Sequence, residues 1–405
     1  MIKIDYKTLA KDSKLGFYEI GGKTYYDKAS AVMEGTKMGL GYKDLHWNFN
    51  EEEFSKWNWS EEPPGDLKDY YHARARHLRE KYDYIILNFS GGSDSTTVLY
   101  SFIQQGLHID EIFVSHADQG TNKYGDTDTQ FDASNEHSEY RYAAVPILNW
   151  VKQVSPRTKI TVHDFSKDII TDDLTWDENF IHWCGDYVTP GCIVRYSHAS
   201  HKDSLNNFDK GKNICILFGI DKPRIGITPD GYIVSFFGDR AVSSAIPAAV
   251  NNGYDNINVE LFFWSPDSVP IIIKQCHVIK RWFELPENKR FQYMLNPKWL
   301  LNSLNRTLYE YIIKGIIYPD YDLTIFQCNK PVKTVMQEWD YWMGDFKNTP
   351  GFATFMTGLR YLYNNTNKDF FKIPDIGVHE QQMTELNWEY KICSSKQYVI
   401  GKLND

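Results

Sequence analysis

The chain has 405 residues, 42% of them hydrophobic and 24% charged, which is the balance of an ordinary globular protein with room for one large domain or two to three smaller ones. A net charge of −9 excludes a global basic field toward nucleic acid or anionic membrane, and no apolar run reaches the roughly 18–20 residues that span a bilayer. Six cysteines are too scattered for a disulfide framework, and the opening MIKIDYKTLAKDSK lacks the apolar core of a signal peptide, so a reduced, cytosolic protein is expected.

Residues 1–66 mix short strand-like pieces (GFYEIGGKTYYD) with aromatic-rich polar segments and read as an N-terminal extension that breaks at EEPPGD. Leu67, Tyr70, Tyr71, Ala75 and Leu78 keep i, i+3, i+4 spacing, which predicts an amphipathic helix over 67–82. It runs into YIILNF, a β-branched and aromatic run suited to a strand buried on both faces. Strands are then predicted at EIFVSHAD (111–118), KITVHDF (159–165) and NICILFGID (213–221), with a helix at 135–154. Strand, helix, strand, helix at this spacing argues for an α/β fold with a parallel sheet and flanking helices, over 67–285. GYIVSFFGD (231–239) reads as a hairpin arm, INVELFFW (257–264) as a strand and SVPIIIKQCHVIKRWFE as a helix. From 286 to 405 the pattern turns helical and aromatic.

The turn between YIILNF and the helix DSTTVLYSFIQQG is Ser90-Gly91-Gly92-Ser93-Asp94-Ser95. Backbone N–H groups at a helix N-terminus hold phosphate, the two glycines allow close approach, and the three serines add hydroxyl donors. There is no G-x-x-x-x-G-K-[ST] and no G-x-G-x-x-G after a strand, which excludes a Walker A loop and argues against the usual dinucleotide fold. Asp94 has the wrong charge to bind phosphate, so its expected place is on a Mg²⁺ that bridges phosphate oxygens.

SGGSDS after a strand resembles the pyrophosphate loop (PP-loop) of the N-type ATP pyrophosphatases. That superfamily includes GMP synthetase, asparagine synthetase, tRNA thiolation enzymes, preQ0 synthases and PAPS reductase. The resemblance implies an adenine nucleotide α-hydrolase (HUP) type of sheet, ATP and Mg²⁺ as cofactors, and cleavage of ATP to AMP and pyrophosphate. It puts His116 and Asp118, at the end of the second strand, near the adenine and ribose. Asp118 could equally cap a turn, hold a second Mg²⁺ or meet a substrate amine. LFGIDKPRI is similar to the G-x-[RK] stretches of PAPS reductase-like and thiolation members, which would turn Lys222 and Arg224 toward the phosphates. Around the loop, DKP and KQ-x-H the chain also resembles PP-loop proteins of bacteriophages.

Trp183-Cys184 is faintly similar to the W-C of sulfonucleotide reductases, with Arg195 and Lys202 as candidate basic residues, but no C-x-x-C or C-terminal catalytic cysteine accompanies it. His182, Cys184, Cys192, His198 and His201 could hold zinc, against the plainer reading of core cysteines and surface histidines. The face carrying Ile272, Gln275, Cys276 and Ile279 is either plain packing or part of a substrate domain. The expected activity is adenylation of an acceptor oxygen, on a small molecule or modified nucleotide, followed by displacement of AMP by nitrogen or sulfur. The donor would be free or delivered by a partner protein, with neither a membrane nor bulk nucleic acid involved. A PAPS reductase-like protein and a non-catalytic adenine-nucleotide module are the alternatives.

Overall fold

The structure, a computed structural model, describes residues 15–116, 139–164, 187–188, 201, 211–242, 245, 256–296, 303–321, 357, 361, 364–372 and 388–403. Strands β1 (Phe17–Ile20), β2 (Lys23–Tyr25) and β3 (His46–Asn48) form a small antiparallel sheet in the order β2-β1-β3. Helix α1 (Lys28–Lys37) lies between β2 and β3, and its N-cap Asp27 accepts the Ser30 N–H at 2.7 Å, which satisfies one of the free first-turn donors. The single turn α2 (Glu51–Phe54) and the amphipathic α3 (Leu67–Lys81) follow.

From α3 the chain enters β4 (Tyr84–Asn88), whose Ile85, Ile86 and Leu87 are wholly buried, as a strand covered on both faces requires. Next come α4 (Ser93–Ile103), β5 (Glu111–His116), a π-helical turn (Glu139–Ala144) continuing into α5 (Val145–Val154), and β6 (Lys159–Asp164). The short β7 (Tyr187–Val188) precedes β8 (Ile214–Phe218), the hairpin of β9 (Arg224–Ile227) and β10 (Tyr232–Phe236), and β11 (Ile257–Leu261). Helices α6 (Val269–Glu284) and α7 (Ser303–Ile317) and strands β12 (Phe371–Lys372), β13 (Trp388–Tyr390) and β14 (Tyr398–Lys402) complete the described chain. No helix among the described residues is long and apolar enough to cross a membrane.

The fold is α/β, around a five-stranded sheet of order β11-β8-β4-β5-β6 in which every pairing is parallel. The chain leaves β4 toward β5 and β6 on one side, then crosses back to β8 and β11 on the other. The strand order therefore reverses at β4. At such a point the two connections diverge and leave a crevice beyond the carboxyl ends of the strands, where open α/β sheets bind ligands. The Ser90–Ser95 turn follows β4 directly and stands at this crevice.

The predicted helical character after residue 286 holds for the 3₁₀ stretch Lys289–Leu295 and for α7, and not for the last part. There β14 pairs antiparallel with β10, and β13 pairs with both β12 and β7. A strand that pairs with a distant element leaves only its own alternation in the sequence, and YVIGK is too short to announce it.

High aromatic content has a structural cause. Trp47, Phe49, Phe54, Trp59, Phe237, Trp264 and Tyr398 pack ring on ring, with Trp59 over Tyr398 at 4.2 Å and Phe237 over Trp264 at 4.7 Å. The cluster joins the N-terminal segment, the β10 and β11 ends and the C-terminal strand, each full burial of such a ring contributing about 1.5–3 kcal/mol. The helix face singled out at Gln275 serves packing: Gln275 donates to the Tyr71 hydroxyl at 2.8 Å, while the neighbouring His277 ring meets the Trp59 carbonyl at 3.0 Å.

Candidate functional site

The turn is shaped by its two glycines. Gly91 has φ +76°, and a Cβ there would lie 2.6 Å from the Ala144 nitrogen, so only glycine lets the π-helical turn come this close. Gly92 is the N-cap of α4 and offers no side chain to the helix end. Its own N–H donates to Ser90 Oγ at 3.2 Å, and Ser95 Oγ donates back to the Gly92 carbonyl at 3.1 Å. Two of the serines thus fold the turn on itself. The third is different: Ser93 Oγ is buried without a hydrogen-bond partner among the described residues, as is Thr96 Oγ1 one turn-step later. A hydroxyl in that condition costs stability unless a ligand or water completes it.

The end of β8 closes on the turn from the other side of the crevice. A Cβ at Gly219 would lie 3.0 Å from backbone atoms of Asp94 and Ser95, so this residue too must be small. The chain then carries Lys222 back over the helix start. Lys222 Nζ lies 2.8 Å from Asp221 Oδ1, 3.6 Å from Asp94 Oδ2 and 3.7 Å from Glu310 Oε2, with little solvent exposure. Lys314 lies 3.9 Å from Glu310, so three carboxylates face two ammonium groups. Burial works against the charge on Lys222, but Asp221, Asp94 and Glu310 together override it and hold the amine well above its ordinary 10.5. Burial likewise pushes the Asp221 carboxyl up, and the Lys222 ammonium beside it brings it below the ordinary 3.8.

Helix α7 and the residue just after it bring three side chains to this spot, Glu310, Lys314 and Tyr318. Besides Glu310, the Tyr318 hydroxyl just beyond the helix donates to Asp94 Oδ1. The Tyr318 phenol is buried, and burial together with the Asp94 carboxylate holds it well above its ordinary 10, so it keeps its proton and acts as a donor.

The expected site residues fall in three places. Ser90, Gly91, Gly92, Ser93, Asp94, Ser95 and Lys222 are brought together. Arg224 opens β9 opposite Phe236, and its guanidinium lies against Gly238 and feels the Asp221 carboxylate; strand pairing draws it into the antiparallel sheet. His116 ends β5, buried, with its ring stacked on Tyr140 at 4.3 Å and 14°. Because Tyr140 belongs to the same π-helical turn that abuts Gly91, His116 borders the crevice through that turn. Asp118 lies outside the described residues, as do His182, Cys184, Cys192, Arg195, His198 and Lys202. His201 is buried, packed on Phe113 and 3.1 Å from Asn88 Oδ1, at the end of β4. Among the described residues no three His, Cys, Asp or Glu side chains gather as a metal site of their own.

Glu310 and Tyr318 were not legible as site residues, since YEYIIKGIIYPD carries the pattern of an ordinary packed helix. Gly219 left a trace, a glycine directly after a buried strand. Comparison of the chain with protein-family models and with curated proteins finds no match to either.

Proposed function

We propose that the chain is a PP-loop ATP pyrophosphatase with a sheet of the adenine nucleotide α-hydrolase type. It would bind Mg²⁺ and ATP at Ser90–Ser95, release pyrophosphate, and adenylate an acceptor oxygen that a nitrogen or sulfur nucleophile then attacks. The observation that carries this reading is the position of the turn: an uncapped, glycine-built helix start at the strand-order reversal, with the buried Ser93 hydroxyl unpartnered among the described residues.

The residues present fit both groups. The first-turn N–H groups of α4, with Ser93 Oγ, are donors suited to phosphate oxygens. Asp94 already faces a cation, Lys222, and its carboxylate is the hard oxygen donor Mg²⁺ prefers. Mg²⁺ is commonly held by one or two carboxylates plus substrate phosphates, so Asp94 can serve where no three-ligand cluster stands among the described residues. Bound there, Mg²⁺ would supply neutralisation of charge on the leaving pyrophosphate. Lys222 would add a second positive charge to the phosphates, His116 and Tyr140 would border the nucleoside, and the turn's role is positioning and charge stabilisation. The acceptor is a small molecule or modified nucleotide by this reading. A sulfonucleotide reductase role finds no support at Cys215, Cys276 or Cys393, which are buried; burial pushes the Cys276 thiol up to about 12, away from thiolate chemistry.

Calorimetry of Mg·ATP binding tests the proposal. Ser93→Ala and Asp94→Ala should each weaken affinity by about tenfold or more, the scale of one hydrogen bond or ion contact to a charged group, while the fold persists. Unchanged affinity in both would remove the turn from the phosphate site.

A further inference from the structure

We propose that Tyr318 is a positioning residue that keeps the Asp94 carboxylate from folding back onto its own helix. The inference rests on the reading of Ser90–Ser95 as a phosphate site and adds a residue from the C-terminal helix to it. Asp94 is the second residue of α4, after the N-cap Gly92. A carboxylate at that position is attracted to the free first-turn N–H groups and to the positive end of the helix. If it turned inward it would occupy, with its own negative charge, the donors a phosphate needs.

Instead the carboxylate is drawn outward from both oxygens. Oδ1 accepts from the Tyr318 hydroxyl, and Oδ2 faces Lys222 Nζ at 3.6 Å. The tyrosine is itself fixed on several sides. Its N–H donates to the Lys314 carbonyl at 3.0 Å, and its ring packs on Phe263 at 5.7 Å. The preceding Ile317 carbonyl accepts the Tyr71 hydroxyl at 2.8 Å, and Tyr71 in turn accepts from Gln275. A donor held this firmly sets the direction of Asp94 before any ligand arrives, so the cost of ordering it falls on folding and not on binding. Phenylalanine at 318 would keep the ring contact and lose only the hydroxyl.

Two readouts on the full-length protein test this. In the absence of nucleotide, Tyr318→Phe should slow amide exchange over residues 93–95, whose first-turn N–H groups precede the first intrahelical bond from the Thr96 N–H to the Gly92 carbonyl, because the released carboxylate caps them. In an Asp94→Ala background the same substitution should change nothing. With nucleotide, Tyr318→Phe should lower Mg·ATP affinity about tenfold in the native background and leave it unaltered in Asp94→Ala. A tyrosine that merely packs would move neither readout, since its ring is retained. Unchanged or faster exchange in Tyr318→Phe overturns the inference whatever nucleotide does. Absence of Mg·ATP binding by the native protein would instead reject the phosphate reading, and the exchange comparison would still decide the role of Tyr318.

Discussion

Lys222 is the residue on which most of the local charge depends. Its replacement by Met should destabilise the fold by about 1–3 kcal/mol near neutral pH, because three half-buried carboxylates lose their shared cation. The pH dependence of that penalty follows from the two shifts. Asp221 has a folded value below 3.8, so its contribution is present above pH 3.8 and is lost as pH falls through the folded value. Lys222 has a folded value above 10.5, so its contribution is present below pH 10.5 and is lost as pH rises through the folded value. Denaturant melts of native and Lys222→Met proteins should therefore differ most between these limits and converge outside them. A difference that grows below pH 3.8 would contradict the assignment. Gly91 makes a second prediction at this scale: Gly91→Ala combines φ +76° with a Cβ 2.6 Å from backbone, and should cost about 1–3 kcal/mol in the same melts.

At the scale of elements, the parallel strands were readable because each is a compact apolar run set between helical periods. YIILN and EIFVSH became β4 and β5 within two residues of their expected ends, and ICILF became β8, which stops three residues before the expected end at 221. Their spatial order was not readable, since a crossover to either side of β4 has the same local sequence, and it is that order that puts Ser90–Ser95 at a crevice. Helix α7 shows the same division. Its period predicts a helix, but the arrival of Glu310 and Tyr318 beside Asp94 is a tertiary fact with no local trace. The helix is also held by α3 and α6 through the bonds from Gln275 to Tyr71 and from Tyr71 to Ile317. Tyr71→Phe, which breaks both bonds in a fully buried position, should lower stability by about 1–3 kcal/mol by denaturant titration. An unchanged midpoint would show that α7 is seated by apolar contact alone.

Across the whole molecule the sequence suggests an extension, a central domain and a C-terminal region, whereas the described residues interleave them. Lys28 of the extension forms a buried ion pair with Asp239 at 2.6 Å, and Asp239 also accepts from Tyr18 and from the Cys393 N–H near the C-terminus. Strand β14 then pairs with β10, and Trp59 stacks on Tyr398. Lys28→Met should accordingly cost about 3–5 kcal/mol by leaving Asp239 buried without its cation, and a chain cut after residue 285 should fail to give a cooperative melt. A cooperative melt of that fragment would restore an independent central domain. All of this scaffolding converges on one turn and on the claim that it grips the β- and γ-phosphates as a leaving group. Chromatography of the nucleotide products formed from ATP and Mg²⁺, with candidate acceptors supplied, tests that claim most directly. The account predicts AMP with pyrophosphate; ADP with orthophosphate as the main products would contradict it.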